Sequence, residues 1–149
     1  MALRSDVPTE EIIGHVFALV DRLRCEFDAA VAQFDLSVPQ ARALRYLERT
    51  GPAPMRDLAC GLHCDASNVT GIVDRLEQRG LVERTAAPAD RRVRSVVLTP
   101  RGEALVRTFW AHMVDASAAL AGLSAEDTVT LLGLLRRLDG SPDGGCWIS

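Results

Sequence analysis

The chain has 149 residues, 48% of them hydrophobic and 25% charged, with a formal net charge of −3. This suits one domain with appended elements and excludes a mainly disordered chain. No run of about 18 apolar residues occurs, so no membrane span is expected, and residues 1–6 lack the basic and apolar regions of a secretory signal, which points to the cytoplasm.

Apolar residues at helical spacing, from Ile12, Val16 and Leu19 through Leu23, Phe27 and Ala30 to Phe34, predict a long helix over 10–34. Thr9 is its expected cap, and Glu10 and Glu11 suit its positive end. Its continuous stripe has to be buried against something. Ser37-Val38-Pro39-Gln40 has the form of a capping box and opens a second helix through Ala41, Leu44 and Leu47, ended by Gly51-Pro52-Ala53-Pro54. Shorter helices follow over 55–62 and 65–79, the latter closed by Gly80.

The hydrophobic period then changes. Residues 81–85 and 94–99 read as strands of a hairpin whose loop holds Pro88 and Asp90. Thr99 and Pro100 open a helix carrying Leu105, Phe109, Met113, Ala116 and Leu120, expected to run until Gly122. Ser124 and Asp127 introduce a last helix bearing Leu131, Leu134, Leu135 and Leu138. The predicted fold is mainly α with a small β-hairpin wing. A winged helix-turn-helix lobe occupies 37–99, dimerisation helices occupy 1–36 and 100–140, and 141–149 form a flexible tail.

Within that lobe, Leu58, Leu62, Val69 and Ile72 are expected to lock two crossing helices, with the small Ala59 at the crossing. Ser67, Asn68, Thr70, Gly71, Asp74 and Arg75 are then left on the outer side of the second helix. Short polar side chains near such a helix start can hydrogen-bond base edges and phosphates, and Arg75 can reach a phosphate. The charge pattern agrees. Every basic side chain is arginine, and Arg84, Arg91, Arg92, Arg94, Arg101 and Arg107 face only Asp90 and Glu103 between positions 84 and 107, a local basic patch in an acidic chain. Arg91, Arg92 and Arg94 suit a narrow minor groove, and Asp90 is expected to orient Arg92 or cap the loop. The flanking helices carry more apolar stripe than one small lobe can cover, which predicts a two-fold homodimer reading two half-sites of double-stranded DNA.

Leu81-Val82-x-Arg84, Asp90-Arg91-Arg92 and Val96-x-Leu98-Thr99-x-x-Gly102 together closely resemble the signature of the MarR family (multiple antibiotic resistance regulators), and Asn68-Val69-Thr70-x-x-Val73-Asp74-x-Leu76-Glu77-x-x-Gly80 resembles its recognition-helix segment. The resemblance spans roughly 10–139. It implies a dimeric, ligand-responsive transcription factor, usually a repressor, acting on a pseudo-palindromic site. By position it makes Arg92 the wing arginine and Asp90 its partner. It also implies an effector pocket between the dimer interface and the DNA-binding lobe. His15, Tyr46, Trp110 and His112 combine ring surface with polar tips on the flanking helices, and Arg42 suits the carboxylate of an aromatic acid, a ligand type the resemblance suggests.

Cys60, His63 and Cys64 leave a thiol- or metal-responsive regulator on the same scaffold as the alternative, although Cys64 also fits as a small apolar plug of the turn. Cys25 has only Arg22 and Arg24 to activate it, and Cys146 lies in the tail. The chain has no glycine-rich phosphate loop, no metal-binding histidine pair and no nucleophile elbow. Neither an enzyme nor a cofactor is expected.

Overall fold

The local signals set the element boundaries in the computed structural model, which describes residues 9–86 and 94–139. In chain order the elements are α1 (Thr9–Gln33), α2 (Val38–Thr50), β1 (Ala53–Pro54), α3 (Met55–Leu62), α4 (Ala66–Gln78), β2 (Val82–Ala86), β3 (Arg94–Leu98), α5 (Pro100–Ala116) and α6 (Ala125–Asp139). The capping box at α2 forms as the sequence predicts. The Ser37 N–H donates to Gln40 Oε1 at 2.8 Å, and the Gln40 N–H to Ser37 Oγ at 3.4 Å. Thr99 caps α5 by accepting from the Gly102 N–H at 3.1 Å. At α6, Ser124 and Asp127 cap each other's amides.

The core lies where α2, α3 and α4 meet the sheet. Leu44, Leu58, Val69, Val73, Leu76, Leu81, Val82 and Val96 are all but sealed from solvent, each contributing roughly 1.5–3 kcal/mol relative to exposure. Val69, Val73 and Leu76 form the sealed row of α4, and Ile72, half-buried, packs against the core beside them.

Two expectations need correction. The segment expected only to end α2 contributes β1, which pairs antiparallel with β3 through Ala53↔Val96 and makes a three-stranded sheet of order β1-β3-β2. Helix α5 stops at Ala116 rather than near Gly122. There the Glu26 carboxylate of α1 accepts from the Ser117 hydroxyl at 3.0 Å and the Ala119 N–H at 3.2 Å, holding the chain out of the helix. A further small residue of α3, Gly61, allows a close approach to α2, where an added Cβ would lie 2.1 Å from the Tyr46 ring, while Ala59 packs half-buried against the core.

Helix α1 meets the rest of the chain through its C-terminal half. Phe27 and Phe34 set their rings edge-on to Phe109 of α5, with centroids 5.6 and 5.3 Å apart. Its N-terminal half leaves Ile12, Ile13, Val16, Phe17 and Val20 exposed, so that part of the predicted stripe is not buried within its own chain. Helix α6 buries none of its described side chains and exposes Val129, Leu132, Leu134, Leu135 and Leu138.

Candidate nucleic-acid interface

Helices α3 and α4 are joined by a turn in which His63 adopts the left-handed conformation, φ 50°. The Cys64 N–H closes back onto the Ala59 carbonyl at 3.1 Å, the kind of reversal that satisfies the last carbonyls of a helix. Asp65 then starts α4 without any side-chain bond to its first turn, leaving those amides open to an outside acceptor such as a phosphate.

With Val69, Val73 and Leu76 inward, Ser67, Asn68, Thr70, Gly71 and Arg75 all face solvent. The Thr70 hydroxyl donates to the Ala66 carbonyl at 2.9 Å, so its oxygen is oriented to accept. Arg75 makes no ion pair among the described residues. Arg94 is exposed at the root of the hairpin, opposite Ala86 in register. Asp90, Arg91 and Arg92 lie outside the described residues, as does the tail with Cys146.

Arg84 does not belong to the free basic patch to which its position in sequence assigns it. It turns inward from β2 to α4, bonding Asp74 at 2.5 Å and Glu77 through its other terminal nitrogen, while its N–H reaches Glu77 at 3.3 Å. Burial disfavours the guanidinium charge, but the hydrogen bond to Asp74 and the charges of Glu77 and Asp74 outweigh it and raise its pKa above the ordinary arginine value. Arg79 is committed as well. It donates to the Phe34 and Asp35 carbonyls and so ties the end of α4 to the α1–α2 corner.

A family model described as the MarR family matches residues 36–93, the stretch that holds α2, this turn, α4 and β2. PecS of Dickeya dadantii, an HTH-type transcriptional regulator, is 31% identical over 142 residues, which is 90% of this chain and 83% of that protein. The chain belongs to the MarR family. NicR of Pseudomonas putida, an HTH-type transcriptional repressor, is 29% identical over 140 residues, 89% of this chain and 85% of that one. Other curated MarR relatives are matched over about half to two thirds of their own length. Among solved structures, a probable transcriptional regulator from Pseudomonas aeruginosa is 35% identical with a TM-score of 0.64, covering 87% of this chain and 98% of that one. Bordetella bronchiseptica BpsR, whose DNA binding is regulated by 6-hydroxynicotinic acid, is 26% identical with a TM-score of 0.62, over 97% and 99%. MarR proteins are transcriptional regulators, which agrees with the reading as a non-enzyme.

The five residues expected to meet an effector do not form one cluster in the MarR chain described here. His15 lies on the exposed half of α1, 3.8 Å from Glu11 and about 18 Å along the helix from Phe27. Tyr46 packs over Gly61 at the α2–α3 crossing, and Arg42 is half-buried on α2. Trp110 and His112 do share the aromatic seam of α1 and α5, Trp110 beside Phe27 and Phe109, His112 beside Phe34. Sequence reasoning missed Arg45, whose guanidinium sits 4.4 Å over the Trp110 ring and bonds Glu48 at 2.5 Å. Its buried Nε–H has no acceptor among the described residues. The space beside Trp110, lined by Leu36, Leu44 and Leu105, is about 10 Å³, room for one water. A larger open cleft of about 440 Å³ lies elsewhere, between Leu47, Pro52, Leu98 and Arg107. Cys60 is exposed and Cys64 half-buried with its Sγ 3.3 Å from the Leu62 carbonyl. With His63 they form no metal-holding group among the described residues. No helix among the described residues is long and apolar enough to cross a membrane.

Proposed function

We propose that this chain acts in the cytoplasm as a homodimeric, sequence-specific DNA-binding repressor that a small organic effector releases from a pseudo-palindromic operator. The observation that carries the reading is the outer face of α4. Ser67, Asn68, Thr70 and Arg75 stand in solvent on a helix whose inner row is fully buried, so they are presented on a rigid element. Arg94 extends that face at the wing root; Arg91 and Arg92 are the further residues assigned to the minor groove, with Asp90 assigned to orient Arg92 or cap the loop. The exposed apolar faces of α1 and α6 are what a second copy would cover. NicR as a repressor and BpsR as a regulator responsive to 6-hydroxynicotinic acid support repression and an aromatic-acid effector. The effector acts at the seam of Trp110 and His112, with His15, Arg42 and Tyr46 on the surrounding helices. The space there is too small for such a ligand, so its binding requires the seam to open or a partner to complete it.

Selection of random duplexes on the purified protein, followed by titration against salt, tests this. The expected result is a pseudo-palindrome with a steep salt dependence, as phosphate neutralisation requires. Asn68→Ala is expected to alter base preference at one position of each half-site. Arg75→Ala is expected to weaken all sequences alike and lower the slope by about 0.9 for each phosphate no longer neutralised. Absence of any enriched site and of salt-dependent affinity, in reduced and ligand-stripped protein, sinks the reading.

A further inference from the structure

We infer that Arg84 touches no phosphate and acts instead as a positioning residue, masking the Asp74 and Glu77 carboxylates so that the outer face of α4 can lie against DNA. The inference rests on the DNA-binding reading and goes beyond it by assigning a task to a residue whose charge alone suggests a direct bond to the backbone of the duplex.

Asp74 follows Ser67, Thr70 and Gly71 along one stripe of α4, only about 6 Å of helix rise beyond Thr70. Glu77 lies one turn further. Left uncovered, the two carboxylates would present negative charge to a polyanion beside the residues that read it. Arg84 answers with one terminal nitrogen to each carboxylate and its backbone N–H to Glu77. The cation is the more enclosed partner. Its side chain is 19% exposed, against 49% for Asp74 and 39% for Glu77. To reach a phosphate Arg84 would have to abandon two charge-assisted bonds and turn outward, uncovering both acids in doing so. The same bonds tie β2 to α4, fixing the wing root relative to the recognition helix.

The test uses the full chain, its selected operator and titrations across a salt series, with thermal unfolding of each variant alongside. Arg84→Gln is expected to fold and to bind about tenfold more weakly or worse, the order of like-charge repulsion near a groove at low salt. Adding Asp74→Asn and Glu77→Gln to it removes the charges Arg84 had masked. That triple variant is expected to return to within about threefold of the unsubstituted affinity, with the same salt slope, since the same phosphates are neutralised. If Arg84→Gln fails to fold, Asp74→Asn with Glu77→Gln in the presence of Arg84 serves, and it is expected to bind at least as tightly as the unsubstituted chain. A triple variant as weak as the single one, with a slope reduced by about 0.9 for each phosphate set free, overturns the inference and makes Arg84 a phosphate ligand. Unchanged affinity in Arg84→Gln, or weakened binding when only the acids are neutralised, overturns it too. Failure of the unsubstituted chain to bind any duplex is a different result and removes the DNA-binding reading itself.

Discussion

Replacing Gly102 by alanine is expected to destabilise the fold although it improves helix propensity. Gly102 is buried in the first turn of α5, with its Cα against the turn that follows α4. A Cβ built there lies 2.0 Å from the Leu81 carbonyl oxygen, whereas ordinary carbon–oxygen approach stops at about 3.3 Å, so backbone must move by roughly 1.3 Å. The oxygen in the way accepts the Thr99 N–H at 3.1 Å, and the Thr99 hydroxyl donates to the Gly80 carbonyl at 2.7 Å. Relief of the clash therefore strains or breaks both bonds. Overpacking costs about 1–3 kcal/mol and each hydrogen bond about 1 kcal/mol, while alanine in place of glycine returns about 0.5–1 kcal/mol. The net loss is about 2–4 kcal/mol, or roughly 10 °C in Tm for a chain of this size. Thermal and urea unfolding at fixed protein concentration measure it, with Gly71→Ala as control, because nothing lies within 4 Å of a Cβ at Gly71. A Gly102→Ala protein that melts at or above the unsubstituted one refutes the reasoning.

Gly71→Ala should itself raise the stability of the free protein by about 0.5–1 kcal/mol and yet weaken operator binding, since its new methyl stands on the face proposed to meet DNA; paired melting and binding measurements check both halves. Phe17→Glu is expected to abolish the proposed dimer, because Phe17 is 67% exposed on the half of α1 that its own chain leaves uncovered; sedimentation equilibrium of both proteins decides. Glu26→Ala should cost about 2–3 kcal/mol by removing two hydrogen bonds to a charged acceptor, read as a shift in urea midpoint at unchanged m-value.

Features specified by neighbours in sequence were legible from the sequence. The capping boxes at Ser37 and Ser124, the Thr99-Pro100 start and the exposed set Ser67, Asn68, Thr70 and Arg75 depend on spacing within a few residues, and they appear where the pattern puts them. Features decided across the chain were not. β1 is two residues long and holds a proline, so nothing local marks it as a strand, and only the free edge of β3 makes it one. The end of α5 is set by Glu26, 91 residues from Ser117. The role of Arg84 had a readable signal. Asp74 and Glu77 share a helix face, and the reversal at Gly80, φ 67°, brings the following strand back over them. Counting charges by sequence window discards that geometry. Arg45 gave no such signal, since its Trp110 partner arrives from a distant helix.

The central place of β3 has a consequence for association rates and affinity. It is bonded to β1 on one side and β2 on the other, and Arg84 anchors β2 to α4. Ala86 and Arg94, the described residues on either side of 87–93, are therefore held at a separation that the folded sheet has already set. Any docking through residues 87–93 thus starts with those ends already brought together, and that closure entropy is lost in folding and not in binding. Lengthening the segment by a residue or two adds only a logarithmic penalty to loop closure. A one-residue slip of β2 against β3 would instead turn every wing side chain to the opposite face.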